Sequence, residues 1–209
     1  MKIAIIGSGR VGAALAGGWI KAGHDVCFGS REPQGEKITT LLAKLGPHAC
    51  ADTPAGAARW GEVVMLAVPY HATQATVQAL GDLGGKVLID ASNPVGAEGQ
   101  LAVGHNTSAA EQIAGWARNA RVVKAFNVTG AGNMANPNFP EGKVSMLFCG
   151  DNAADREVVA RLIGDLGMDP VDIGPLSQAR NLEPMGMVWI GLAFRQGLGP
   201  NVAFRLMKR

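Results

Sequence analysis

Short apolar runs alternate along the chain with longer stretches in which apolar residues return every three or four positions. The runs predict strands over 2–6, 25–29, 48–50, 63–68, 86–90, 121–125, 144–149 and 168–173. The stretches predict helices over 10–22, 35–45, 53–59, 71–80, 108–118, 152–165 and 182–197. The strands are nearly continuous in apolar residues instead of alternating, the pattern of a parallel sheet covered on both faces. Strand–helix–strand order repeated throughout predicts an α/β fold: a Rossmann-type, doubly wound, mostly parallel sheet with a short C-terminal strand–helix extension. A single domain over 1–209 accounts for the pattern, with 175–209 as a helical extension, and no repeat or linker interrupts it. Two long loops, 91–107 and 126–142, are rich in Gly, Asn and Pro. Both follow strand C-termini, where open α/β sheets bind ligands.

Composition narrows the class. Apolar residues make up 47% and charged residues 17% of the 209, and the net charge is +2. That is a globular balance, and with no basic run or aromatic–basic interleaving it predicts no nucleic-acid surface. The apolar start ends at Gly7 without a small-residue cleavage site. The most apolar late segment, 185–194, is half the length a membrane span needs, so no membrane role is expected. Cys27, Cys50 and Cys149 lie far apart, each in an apolar run read as a strand. An odd count without a Cys-x-x-Cys pair argues against a disulfide framework or zinc site and fits a reducing cytoplasm.

The first candidate chemistry is Gly7-Ser8-Gly9-Arg10-Val11-Gly12, directly after a strand and directly before an alanine-rich helix. In G-x-G-x-x-G the first glycine makes the tight turn, the second admits a pyrophosphate, and the third lets helix and strand pack closely. The free amides of the helix N-terminus then face the anion. About twenty residues on, a site for NAD places a carboxylate on the ribose 2′-OH. Here Gly29-Ser30-Arg31 stands instead. A hydroxyl and a guanidinium suit a 2′-phosphate through charge-assisted bonds, so the expected cofactor is NADP(H). The alternative is that Arg31 is a solvated loop charge and NAD is tolerated. Glu32 follows and weakens the positive field, while Arg10 and, less so, Lys37 are further phosphate candidates.

The runs 63–70 and 87–95 share one design, a buried strand ending at a proline turn. Backbone groups of Ala67, Val68 and Pro69 and of Ala91, Ser92 and Asn93, with the Ser92 and Asn93 side chains, are candidates to hold the nicotinamide end; the prolines also simply end strands. His24 and His48 precede strands and read as structural; His71, at a helix start after Pro69, is the histidine nearest the expected nicotinamide. Ser108 and Glu111 have capping-box spacing, which accounts for both. Lys124 could polarise a carbonyl or serve as a structural or phosphate-contacting lysine. No Ser-His-Asp, Cys-His or Tyr-x-x-x-Lys grouping appears. No catalytic or metal-ligating residue is therefore assigned, and hydride transfer without a protein proton donor is the expected chemistry.

Together, the stretches 7–31, "LAVP" (66–69), "LIDASNP" (88–94), "VVKAFN" (122–127), "FCGD" (148–151) and "DIGPLSQARNLEPM" (172–185) resemble the coenzyme F420-dependent NADP oxidoreductases. They equally resemble that family's bacterial relatives and the oxidoreductase domain of the six-transmembrane epithelial antigen metalloreductases. The resemblance implies a Rossmann fold, NADP(H) along the glycine loop, and a flat ring stacked on the nicotinamide: F420, or FMN or FAD, as second substrate. It also implies a Ser-Arg grip on the 2′-phosphate, matching Ser30 and Arg31. The additional basic residue frequent four positions later is Gly35 here. Deazaflavin-using members carry a His in the loop after the "VVKAFN" strand; here Phe126-Asn127-Val128-Thr129 stands, closer to the flavin-reducing version.

Three readings follow. The first is an NADP-dependent oxidoreductase passing hydride to a small-molecule redox acceptor with a flat ring. The second is a reductase of small imines or keto acids, of the pyrroline-5-carboxylate type. The third is a non-enzymatic NADP(H) sensor. The apolar segments 185–194 and 197–207 predict a homodimer through the C-terminal helix.

Overall fold

The computed structural model describes all residues, Met1–Arg209. Eight strands form one sheet: β1 (Lys2–Ile6), β2 (Asp25–Gly29), β3 (Ala49–Asp52), β4 (Val63–Leu66), β5 (Lys86–Asp90), β6 (Ala120–Lys124), β9 (Ser145–Gly150) and β10 (Asp169–Asp172). A separate two-stranded hairpin joins β7 (Asn138–Phe139) to β8 (Gly142–Lys143). The helices are α1 (Arg10–Lys21), α2 (Glu36–Leu45), α3 (Pro54–Trp60), α4 (Tyr70–Leu80), α5 (Ala109–Trp116), α6 (Ala131–Ala135), α7 (Ala153–Asp165) and α8 (Ala179–Ile190). A π-turn, Gly191–Arg195, continues α8. No helix is long and apolar enough to cross a membrane.

The sheet order is β10-β9-β6-β5-β4-β1-β2-β3, with every neighbour parallel except β6 and β9. From β1 the chain winds outward through β2 and β3, then returns to place β4 on the other side of β1. This reversal opens a crevice beyond the C-terminal ends of β1 and β4. Register aligns the crevice: Ile6 lies opposite Leu66, and Leu66 opposite Asp90. The buried runs Ile3–Ile6, Val63–Leu66 and Val87–Ile89 form the middle of the core, as strands covered on both faces require. In α1, Gly12, Leu15, Ala16 and Trp19 are buried at helical spacing against the sheet.

Some boundaries differ from the sequence expectation. The fourth strand stops at Leu66, not Val68: Ala67 still donates to the Ile6 carbonyl at 2.9 Å, but the chain beyond it turns at Pro69 and Ala67 and Val68 line the crevice. The stretch 126–142 is not all loop: it holds α6 and the β7–β8 hairpin, both too short for a period to register. The last helix starts at Ala179 rather than 182 and carries Pro184 inside it. Its first turn is fixed by tertiary partners, since Arg180 forms two-pronged bonds to Glu111 of α5 and Leu182 and Glu183 are buried. His24 and His48 pair with Asp165 and Asp25 at 2.9 and 2.8 Å, in keeping with structural roles. On the C-terminal helix and its tail, Val188, Phe194 and Leu198 are exposed.

Candidate active site

The glycine loop takes its shape from two close approaches. Gly7 has φ +118°, and a Cβ there would collide with the Ala67 carbonyl; a Cβ on Gly12 would collide with the Gly7 carbonyl. These two glycines are required by the fold itself. Gly9 is not: its φ is −77°, and a Cβ there would meet no protein atom within 4 Å. The clear space above Gly9, at the N-terminus of α1, fits a pyrophosphate resting on the backbone amides. The residues present therefore fit a dinucleotide.

Two cavities meet over this loop. The larger, of about 880 Å³, runs from Gly7, Ser8 and Gly9 past the end of β2 to Gly29, Ser30, Arg31 and Glu32, then to Gly35, Glu36 and Lys37 on α2. Its other wall is Ala72, Ala75, Thr76 and Ala79, a small-residue face of α4. The smaller, of about 530 Å³, is lined by Gly9, Arg10, Val11, Ala67, Val68, Pro69, Tyr70, His71, Ala91, Ser92, Asn93 and Val95. Every residue singled out from the sequence as cofactor-binding lines one cavity or both. Sequence reasoning missed the α4 face, whose signal was small residues at helical spacing, and Val95. Tyr70 was read only as part of a strand end; its hydroxyl donates to Gln112 at 2.6 Å.

At the end of the larger cavity beyond β2, Ser30 is held by its backbone N–H donating to the Asp52 carbonyl at 2.9 Å. Its hydroxyl accepts from the Glu32 N–H at 3.2 Å. Arg31 is exposed and enters no ion pair within the chain, so its guanidinium is free for an anion. The Glu32 side chain folds back over Gly35, placing a carboxylate at the start of α2, inside the same cavity. That negative charge opposes a phosphate there.

At the other end the cavity walls carry one arginine, one histidine and no carboxylate. Asn93 donates through Nδ2 to the Asn127 carbonyl at 2.8 Å, and Asn127 donates to Asn93 Oδ1 and to the Leu182 carbonyl, both at 2.9 Å. Gly186 of α8 admits this pair, for a Cβ there would press on Asn93 Oδ1. Phe126, buried with φ +64°, turns the chain out of β6 toward this pair and packs edge-on against Trp19. Two polar atoms in this region are buried without a hydrogen-bond partner, Ser92 Oγ and Asn127 Oδ1.

Lys124 does not face the cavities. It is wholly buried, with Nζ 2.8 Å from Asp90 and 3.0 Å from Glu183. Burial alone would push its ammonium down, but the two carboxylates outweigh burial and the net direction is up. Lys124 is therefore charged and sealed, which removes carbonyl polarisation as its role. Ser108 caps α5 by accepting from the Glu111 N–H at 3.1 Å, as the spacing predicted.

Comparison with known proteins places the chain in a family. A family model described as coenzyme F420-dependent NADP oxidoreductase matches residues 2–94. The F420-dependent NADP reductase of Methanocaldococcus jannaschii is 30% identical over 210 residues, covering 92% of each chain. The chain belongs to the F420-dependent NADP oxidoreductase family. Metalloreductase STEAP3 of Rattus norvegicus is 32% identical over 184 residues, which is 87% of this chain but 36% of that protein. This chain thus spans about a third of the length of that metalloreductase. Across the family's fold, a crystal structure from Arthrobacter sp. FB24, provisionally assigned as an F420-dependent NADP-reductase, superposes with TM-score 0.90 at 32% identity over both whole chains. A Streptomyces aurantiacus imine reductase shares the fold at TM-score 0.66 and 19% identity, over 64% of its length.

Proposed function

We propose that the protein is an oxidoreductase that binds NADP(H) across the two cavities and exchanges hydride with a flat redox ring, a deazaflavin or a flavin. The observation that carries this reading is the open space over Gly9, with an unpaired Arg31 beside Ser30 at one end and a carboxylate-free pocket at the other. When bound, NADPH supplies a hydride equivalent and the dinucleotide's binding energy. The chain supplies placement. Gly7 to Val11 hold the pyrophosphate and Ser30 and Arg31 the 2′-phosphate, while Ala67–Pro69 and Ala91–Asn93 form the seat of the nicotinamide. No carboxylate lines the smaller cavity, and the Tyr70 hydroxyl there already donates to Gln112 at 2.6 Å. Catalysis then rests on bringing the donor carbon and the acceptor atom, a ring carbon of a deazaflavin or a ring nitrogen of a flavin, to about 3–3.5 Å with water displaced. Names among the relatives support the acceptor class: one is an F420-dependent NADP reductase and another a metalloreductase.

The test is NADPH oxidation without oxygen against F420, FMN, FAD, riboflavin and flavin with a ferric chelate. Pyrroline-5-carboxylate and 3-hydroxy acids are run in the same screen. Turnover with at least one flavin or deazaflavin is expected. Tight NADPH binding with no oxidation by any ring compound would leave a sensor, and turnover only with the imine would make this a small-molecule reductase.

A further inference from the structure

The buried charges behind the smaller cavity converge on one residue that lines it. Asp90 and Lys124 lie directly opposite each other on β5 and β6, and both are fully buried. Besides pairing with each other, each grips the backbone of Ser92. Asp90 Oδ1 accepts from the Ser92 N–H at 2.8 Å, and Lys124 Nζ donates to the Ser92 carbonyl. Both backbone hydrogen-bonding groups of this one residue are thus held by an ion pair that water does not reach. The Ser92 hydroxyl, by contrast, is buried without any partner in the chain. A buried hydroxyl is rarely left unpaired unless something outside the chain completes it.

Resting on the reading that the nicotinamide half of NADP(H) lies in the smaller cavity, we propose that Asp90 and Lys124 are positioning residues. They hold the Ser92 hydroxyl at a fixed point where it hydrogen-bonds that half of the cofactor. Glu183 belongs to the same cluster but has another task. Its carboxylate accepts from the Ala109 and Ala110 amides at 2.8 and 3.0 Å and fastens α8 to the start of α5, without touching Ser92. The cluster holds two carboxylates and one ammonium. Removing either acid charge leaves one balanced pair, so Asp90→Asn and Glu183→Gln are both expected to fold.

The experiment titrates the full chain and three single variants, Ser92→Ala, Asp90→Asn and Glu183→Gln, with NADP⁺ and with adenosine 2′,5′-bisphosphate. The second probe lacks the nicotinamide half. Ser92→Ala removes no bond within the protein and is expected to keep its melting temperature. It should bind NADP⁺ about three- to tenfold more weakly, the range for one neutral hydrogen bond. Its affinity for the bisphosphate should be unchanged. Asp90→Asn should show the same selective loss, and adding it to Ser92→Ala should weaken NADP⁺ little further, because both act through one hydroxyl. Glu183→Gln should lose stability but keep NADP⁺ affinity. The inference is overturned by unchanged NADP⁺ binding in Ser92→Ala, by fully additive losses, or by a Glu183→Gln loss as large as that of Asp90→Asn. If the unaltered chain binds neither probe, the cofactor reading itself fails and takes this inference with it.

Discussion

Replacing Arg31 by alanine should separate the two nicotinamide cofactors. The guanidinium lines the larger cavity, stands exposed and has no partner in the chain. Its removal breaks nothing internal, so the melting temperature should hold. What it removes is a charge-assisted contact to a 2′-phosphate, worth about 1.5–3 kcal/mol in general. Exposure lowers that figure, while the phosphate's charge of about −1.5 to −2 raises it. About 2–3 kcal/mol is then reasonable, which weakens NADPH binding about 30- to 150-fold. NADH has no phosphate at this point and should change by about twofold or less. Titration of the nicotinamide fluorescence, or calorimetry, measures both. The difference should shrink as salt rises, because the contact is screened. The reverse substitution, Glu32→Gln, withdraws an opposing carboxylate and should tighten NADPH a few-fold under the same assay. Equal losses for NADPH and NADH in Arg31→Ala would refute the phosphate assignment and make Arg31 an ordinary surface charge.

The three motif glycines should respond differently to alanine. Gly9→Ala should fold with unchanged stability and lose most NADPH affinity, since its Cβ enters space that only a ligand would use, whereas Gly12→Ala meets the Gly7 carbonyl and should lose about 1–3 kcal/mol in chemical denaturation. A stability loss in Gly9→Ala as large as that in Gly12→Ala would contradict this division. Acid should loosen the C-terminal helix by a defined route. The Arg180 guanidinium holds the Glu111 carboxyl below its ordinary value, so this pair stabilises the fold above the usual carboxylate range and is lost as pH falls through the lowered value. Arg180→Gln should therefore shift acid unfolding to higher pH, followed by circular dichroism; an unchanged midpoint would show that the pair contributes nothing.

What the sequence revealed and what it hid divide along physical lines. Strands β1, β2, β4 and β5 were legible because a doubly covered strand must be apolar throughout, and the glycine loop because its spacing answers to local geometry. Ser30 and Arg31 were legible for the same reason, being fixed by their distance from that loop. The cluster of Lys124, Asp90 and Glu183 was not. Asp90 and Glu183 are 93 residues apart, and only the β5–β6 register and the packing of α8 bring them to one ammonium. Asn127 belongs to a stretch that carries the family resemblance, yet its tie to Asn93 depends on Phe126 turning the chain and on Gly186 leaving room, neither of which a period announces. The early start of α8 was masked by Pro184, a local helix breaker overruled by the Arg180–Glu111 pair and by burial of its neighbours.

Gly186 has a consequence for how such a protein can change. The larger cavity is built from residues between Ile6 and Ala79, but the rim of the smaller one leans on a helix near the other end of the chain, through a glycine pressed against Asn93. Any side chain introduced there would push on the Asn93 loop while leaving the glycine loop untouched. The two cavities can thus drift apart: remodelling of the closing helix reshapes one while the hollow over the glycine loop stays the same.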